Sequence, residues 1–275
     1  MSQSISWKGH CSGLLRQFDY SAYLGGYLVD PKYKDLWLVV KAFAVEVALR
    51  RSSKNQEDMS AVMGRVAFWK DNLQDSNLLK GAKHPLLDGL TWCLNRYPNM
   101  EKYFLNRILD ARLADAQRQA YYNLDEVEEY AEGIHSSAMY CILHAMGIDT
   151  TDTDHIASHL GKVFGLVKYI KAVEKNPSIL PQDLLYKHSL NQHRLSSETA
   201  IDIEDLLEEI AVPCHQHFEE VKRLWSNLQS KPRLAKQVFL PSAIEVDSFL
   251  KHSNPGWLPF NILKASILKS SSALL

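Results

Sequence analysis

Apolar residues recur at intervals of three and four along almost the whole chain, and no stretch keeps the strict alternation typical of a half-buried strand. This period predicts amphipathic helices and no sheet, so we expect an all-α fold. The pattern predicts helices over the following ranges: Gly13–Leu28, Lys34–Arg51, Asp58–Gln74, His84–Tyr97, Met100–Ala120, Asp125–Met146, His155–Glu174, Ser197–Asn227 and Ile262–Ser270.

Prolines and glycines divide the helical pattern only at short joints, and no internal repeat is present. Pro31 and Pro85 are suited to a first helical turn, because proline has its φ angle fixed near the helical value. Four prolines lie between residues 230 and 259, which we therefore predict to be irregular. We expect a single domain over residues 13–275, preceded by a disordered or targeting segment over residues 1–12.

Composition excludes several classes of protein. The formal net charge is -1, which gives no basic surplus for nucleic acid. No apolar run reaches the roughly 20 residues that a membrane-spanning helix needs. The cysteines, Cys11, Cys93, Cys141 and Cys214, have no metal-binding or redox spacing, which indicates buried thiols in a reducing compartment.

Four segments in order resemble the squalene/phytoene synthase family, most strongly between residues 13 and 190. They are Lys41–Ala48, Arg65–Lys70 with the downstream His84-Pro85, Leu124–Gly147, and Gly161–Asn176 with Leu180-Pro181. The resemblance implies an isoprenoid-synthase fold, a single helical domain around a central cavity.

The resemblance also implies where a catalytic metal would bind. Active members of the family hold magnesium through Asp residues at i and i+4 on two facing helices, and the metal helps a diphosphate to leave. In this chain the first pair falls on Ala44 and Ala48, and the second falls on Ala172 and Asn176. Alanine has no ligand atom and asparagine is neutral, so we expect no bound metal, no cofactor and no catalytic residue: a pseudoenzyme.

Nearby carboxylates do not replace the missing pairs. Glu46 and Glu174 lie two residues from an expected ligand position, which is a rotation of about 200° on a helix. We expect Glu46 to form a surface or interface ion pair with Arg50, one turn further along. Asp110 and Asp115 are five residues apart and do not form such a pair.

A positive cleft could take the place of the metal site. Its candidate residues, which would bind an anion or a lipid headgroup, are Lys41, Lys168, Lys171, Gly165 and Trp69. The alternative is that the lysines lie on solvated faces and that Trp69 packs in the core.

Histidines are candidate metal ligands at two places. Cys214–His217 does not present its ligands on one helix face, and His155 and His159, one turn apart, lack further ligands. Both sets are interpreted as ordinary helix residues.

A tighter resemblance is carried by five short segments: Arg16–Tyr20, Ala42–Glu46, Phe68–Lys70, Asp154–His159 and Phe249–Lys251. In these segments the chain resembles a non-catalytic mitochondrial branch of the family that assists assembly of complex I, the NADH:ubiquinone oxidoreductase. It implies a peripheral protein on the matrix side of the inner membrane whose partners are complex I subunits or assembly intermediates, with a lipid or prenyl ligand as a further partner. Trp257–Leu275 could lie on a membrane interface or dock on the domain. Two alternatives stay open: a prenyl-diphosphate transferase with altered metal chemistry, and a lipid- or isoprenoid-binding module without turnover.

Overall fold

The predicted helices up to residue 227 have helical counterparts in the computed structural model, which describes residues 6–49, 59–74, 84–190, 203–228 and 232–252. Every regular element in these ranges is helical, so the all-α prediction is confirmed. The α-helices are α1 (Trp7–Phe18), α2 (Tyr20–Gly25), α3 (Lys34–Ala48), α4 (Met59–Gln74), α5 (Pro85–Arg96), α6 (Lys102–Gln117), α7 (Leu124–Ala131), α8 (Ser137–Ala145), α9 (Thr151–Lys175), α10 (Gln182–Lys187), α11 (Ile203–Asn227) and α12 (Arg233–His252).

The first predicted helix is two helices, and the break is at Asp19. The Asp19 backbone N–H donates to the Leu15 carbonyl and closes α1, while the Asp19 carboxylate accepts the Ala22 N–H at 3.1 Å and opens α2. A capping aspartate therefore outweighs a continuous apolar period. Helix α1 begins at Trp7, so the boundary that we predicted at residue 12 falls inside it.

One predicted helix, Asp125–Met146, changes character partway along. A π-helical turn over Glu132–Ser136 follows α7 and precedes α8. A π-helical turn inserts one extra residue into a helix. This changes the spacing of the apolar residues so little that the sequence does not reveal the turn.

The prediction that residues 230–259 are irregular is wrong for α12, which contains Pro241. Proline removes one helical hydrogen bond, but Pro241 is buried and lies against Gly25 of α2. A Cβ at Gly25 would be 2.7 Å from the Pro241 Cβ, so this close approach needs glycine. The predicted helix Ile262–Ser270 and the segment Trp257–Leu275 lie outside the described residues.

The chain divides into two compact units. The first contains α1 to α6, α8 and α12 as far as Pro241. Its central element is α3, against which α1, α5, α6 and α8 all pack. Trp37 and Phe43 of α3 are almost completely buried, as is Trp69 of α4, and burial of these large apolar side chains stabilises the unit.

The second unit contains α7, the π-helical turn, α9 from His155 onward, α10 and α11. Its core is formed by one face of α9 and one face of α11, with Ile170, Ile210 and Phe218 almost completely buried. The prediction of one domain over residues 13–275 stays a prediction. None of the described helices combines the length and the apolar character that crossing a bilayer would require.

Candidate functional site

Lys41 lies in the first unit on α3, and it is not a surface residue. It is only 7% exposed, and its Nζ lies 4.9 Å from the centre of the Trp37 ring, where the electron-rich face of the indole attracts a cation. Because Lys41 is so little exposed, the alternative that it lies on a solvated face is wrong. A buried lysine requires compensating contacts, and the contact with Trp37 is one of them.

Trp69 is a core residue of the same unit. Its ring meets Phe43 and His84 edge to face, with ring centres 5.3 Å and 5.1 Å away. This arrangement is favourable for aromatic rings beyond the area that they bury.

The other residues of the predicted cleft belong to the second unit. Lys168 and Lys171 are half-buried, and the Lys168 Nζ lies 4.3 Å from the centre of the Phe164 ring. Gly165 is buried, and a Cβ there would be 2.2 Å from the Ala131 Cβ of α7. Gly165 thus allows α9 to approach α7 closely. That these residues and those of the first unit line one cleft stays a prediction.

The positions at which the resemblance would place magnesium ligands offer little to a metal. Ala44 and Ala48 lie one turn apart on α3 and carry no donor atom. Helix α9 ends at Lys175, one residue before Asn176. The Asn176 Oδ1 accepts hydrogen bonds from the Ser178 N–H at 3.3 Å and from the Ser178 hydroxyl at 2.6 Å, and it caps the short 3₁₀ turn Pro177–Ile179. The side chains at these four positions do not fit magnesium, which requires several charged or water oxygen ligands.

A cluster of potential metal ligands does exist in the first unit. It consists of His10, Glu46 and His84, and one ligand atom from each lies within 4.8 Å of the other two. Glu46 is 3% exposed, so it does not lie on the surface. Its pairing with Arg50 stays a prediction, because Arg50 lies outside the described residues. The Glu46 Oε1 lies 3.8 Å from the His84 Nε2, and the His10 Nε2 is buried without a hydrogen-bond partner.

Three different helices position this cluster, which is why the sequence did not reveal it. His10 is on α1, Glu46 is on the central α3, and His84 is the N-cap residue of α5, where its Nδ1 accepts the Leu86 N–H at 3.3 Å. The only local signal was the His84-Pro85 pair, which we interpreted as the start of a helix.

A second histidine group lies in the second unit. The His159 and His217 Nδ1 atoms are 2.8 Å apart, and the His217 Nε2 lies 2.9 Å from a Glu128 carboxylate oxygen. Burial would raise the pKa of Glu128, but its hydrogen bond to His217 and the nearby charges of His217, Lys162 and His159 together outweigh burial and hold the pKa below its usual range. Burial and the neighbouring His217 lower the pKa of His159. The two histidines that we had weighed separately thus form one hydrogen-bonded chain.

The fold and the sequence define the class of this protein. Residues 15–247 match the family model described as squalene/phytoene synthase, and the chain belongs to that family. Two solved structures share the fold: a dehydrosqualene synthase in complex with a ligand (16% identity, TM-score 0.68, 97% of each chain) and squalene synthase from Alicyclobacillus acidocaldarius (12% identity, TM-score 0.67, 98% of this chain and 94% of that one). The predicted isoprenoid-synthase fold is confirmed.

Other relatives of this chain are named as assembly factors. The chain is 28% identical over 270 residues to NADH dehydrogenase (ubiquinone) complex I, assembly factor 6, of Homo sapiens, which covers 96% of this chain and 78% of the human protein. The homolog of that factor in Drosophila melanogaster is 27% identical over 253 residues, covering 88% of this chain and 74% of the fly protein. The predicted resemblance to both the family and this branch is confirmed.

Proposed function

We propose that this protein is a non-enzymatic assembly factor for mitochondrial respiratory complex I. The observation that carries the proposal is the similarity to proteins named complex I assembly factor 6 over almost the whole chain. The proposed location is the matrix side of the inner membrane, with peripheral attachment. The proposed partners are complex I subunits or assembly intermediates.

The chemistry of four side chains supports the non-enzymatic half of the proposal. Ionising an allylic diphosphate requires a metal that neutralises the departing phosphates. Ala44, Ala48 and Ala172 offer no ligand atom, and the Asn176 oxygen already accepts two hydrogen bonds. We infer that the chain keeps the fold of the synthases as a scaffold.

A direct test of the partner half is recovery of bound proteins from mitochondria. The full chain, carrying an affinity tag, is expressed in cells of an animal relative, and the proteins that copurify are quantified after mild detergent extraction. We expect complex I subunits to be enriched over subunits of the other respiratory complexes. Equal recovery of all respiratory complexes would contradict the proposal.

A second candidate is a lipid- or isoprenoid-binding module without turnover, favoured by the buried ammonium group of Lys41. Purified protein would be incubated with farnesyl diphosphate, with and without magnesium, while product and melting temperature are followed. The assembly-factor proposal predicts no product in either condition. Stabilisation by the diphosphate without magnesium and without product would favour the binding module, and product that requires magnesium would favour the altered transferase.

A further inference from the structure

We propose that His10, Glu46 and His84 form a binding site for a divalent transition-metal ion, with Zn²⁺ as the ion that suits it best. The site lies within the first unit and is separate from the positions that the family resemblance assigns to magnesium. It does not depend on the role in complex I assembly.

The distances are close to those that a bound ion would impose. With bonds of about 2.1 Å, two ligand atoms of a tetrahedral zinc site are roughly 3.4 Å apart. The Glu46 Oε1 and the His84 Nε2 are 3.8 Å apart, and the three ligand atoms of the cluster lie within 4.8 Å of one another. A bound ion would have to draw the three atoms closer together, by no more than about 1.4 Å for any pair.

The kinds of ligand select the metal. Two imidazole nitrogens and one carboxylate oxygen suit zinc or ferrous iron, whereas magnesium prefers oxygen ligands alone. One carboxylate leaves an ion of charge +2 with a net positive charge. A fourth position, filled by water, would complete the tetrahedron.

The surroundings hold the ligands in place. Glu46 projects from the central helix α3 and is 3% exposed, so its carboxylate has little freedom to leave. The His84 ring packs edge-on against Trp69, with ring centres 5.1 Å apart. The His10 Nε2 is buried and accepts or donates no hydrogen bond, which is an unusual state for an imidazole nitrogen that a metal would relieve.

Metal binding would break one existing hydrogen bond, the one between the Leu86 N–H and His84. A metal on the His84 Nε2 places the ring proton on Nδ1, which now accepts the Leu86 N–H. At 3.3 Å this capping hydrogen bond is long, and it would be given up. The competing arrangement is the direct contact between His84 and Glu46, at 3.8 Å, with no metal, and the experiment below separates the two.

The test uses the purified full chain after treatment with a chelator. Zn²⁺ and, separately, Mg²⁺ are titrated in competition with a chromophoric zinc indicator. We expect one zinc per chain with a dissociation constant in the micromolar range or tighter, no magnesium binding, and a melting temperature that rises with zinc. His10→Ala and Glu46→Gln should each weaken zinc binding at least tenfold and abolish the rise.

The control is His155→Ala, because His155 is an exposed histidine of the second unit. It should bind zinc like the unaltered chain. Far-UV circular dichroism establishes that each variant folds. Glu46→Gln keeps the side-chain volume, and His10→Ala alters a half-buried residue, so the two variants are independent tests of zinc binding. Absence of zinc binding in the unaltered chain, or binding that survives both substitutions, would overturn the proposal.

Discussion

His144 of α8 is held between two carboxylates. Its Nδ1 lies 2.7 Å from the Glu101 carboxylate, and its Nε2 lies 3.0 Å from the Asp154 carboxylate. Burial by itself would lower the pKa of this imidazole, but the two hydrogen bonds and the negative charges of the two carboxylates together outweigh burial and raise the pKa above its ordinary value of 6.5. The protonated ring therefore stabilises the folded chain.

This arrangement predicts a pH-dependent stability. The contribution of His144 is fully present below about pH 6.5, where the unfolded chain also binds the proton, and it is lost as the pH rises through the raised pKa. We expect His144→Gln to lower the free energy of unfolding by about 1 kcal/mol more at pH 5.5 than at pH 9, since both carboxylates are partly solvated. Urea denaturation at the two pH values measures this, and an equal loss at both would contradict it.

Two aspartates on α6 provide a matched pair of substitutions. Asp115 pairs with Arg112, which is 4% exposed, at 2.7 Å, whereas Asp110 is 60% exposed and pairs with Lys70 at the surface. Asp115→Asn should lower the free energy of unfolding by about 2 kcal/mol, because it leaves a buried guanidinium less compensated. Asp110→Asn should change it by about 0.5 kcal/mol or less. Chemical denaturation checks both, and equal effects would show that burial of Arg112 does not matter.

Side chains far apart in the sequence were the hardest to predict. The burial of Glu46 was not predicted, because a helical wheel shows only the angle between residues and not which neighbouring helix covers each face. Burial by α1 and α5 puts Glu46 beside His10 and His84. The capping role of Asn176 was equally hidden, whereas the absence of a donor atom at Ala44 and Ala48 could be read directly.

Helix α9 approaches its neighbours in the second unit through two glycines one turn apart. A Cβ at Gly161 would be 2.6 Å from the Ser136 backbone nitrogen in the π-helical turn, and a Cβ at Gly165 would be 2.2 Å from the Ala131 Cβ. Both distances are far shorter than any real contact. The close packing of α9 against α7 and the turn thus requires glycine at both positions.

Alanine substitutions test this packing. Gly165→Ala should lower the free energy of unfolding by about 2 kcal/mol, because α9 and α7 must separate. Gly64→Ala on α4 is the control: nothing lies within 4 Å of its added Cβ, so helix propensity should raise the free energy of unfolding by up to about 1 kcal/mol. Thermal and urea unfolding measure both. Stabilisation by Gly165→Ala would contradict the close approach.

Helix positions were mostly predictable, and their ends and interruptions were not. The apolar period identifies both ends of α4 and α5 to within one residue and the start of α3 at Lys34, but it runs past the end of α3 at Ala48. It misses the break at Asp19, where one carboxylate caps a new helix, and it misses α12, where Pro241 is tolerated because Gly25 leaves room for it. In each case a local hydrogen bond or a tertiary contact outweighs the pattern.

At the scale of the whole molecule, the comparisons of fold and of sequence lead to proteins with different names. The chain shares its fold with two synthases at 16% and 12% identity, yet the relatives named as assembly factors are 28% identical to it over most of its length. One fold serves many functions, so the fold alone does not decide between them. The sequence motifs suggested the family correctly, and the proposed role depends on the relatives.

The most direct test removes the protein from cells. The gene is deleted in its own organism, and respiratory complexes are separated on native gels and stained for NADH dehydrogenase activity, with re-expression of the full chain as the control. We predict a selective loss of assembled complex I, unchanged amounts of the other complexes, and recovery on re-expression. Normal complex I together with altered isoprenoid or sterol levels would contradict the account.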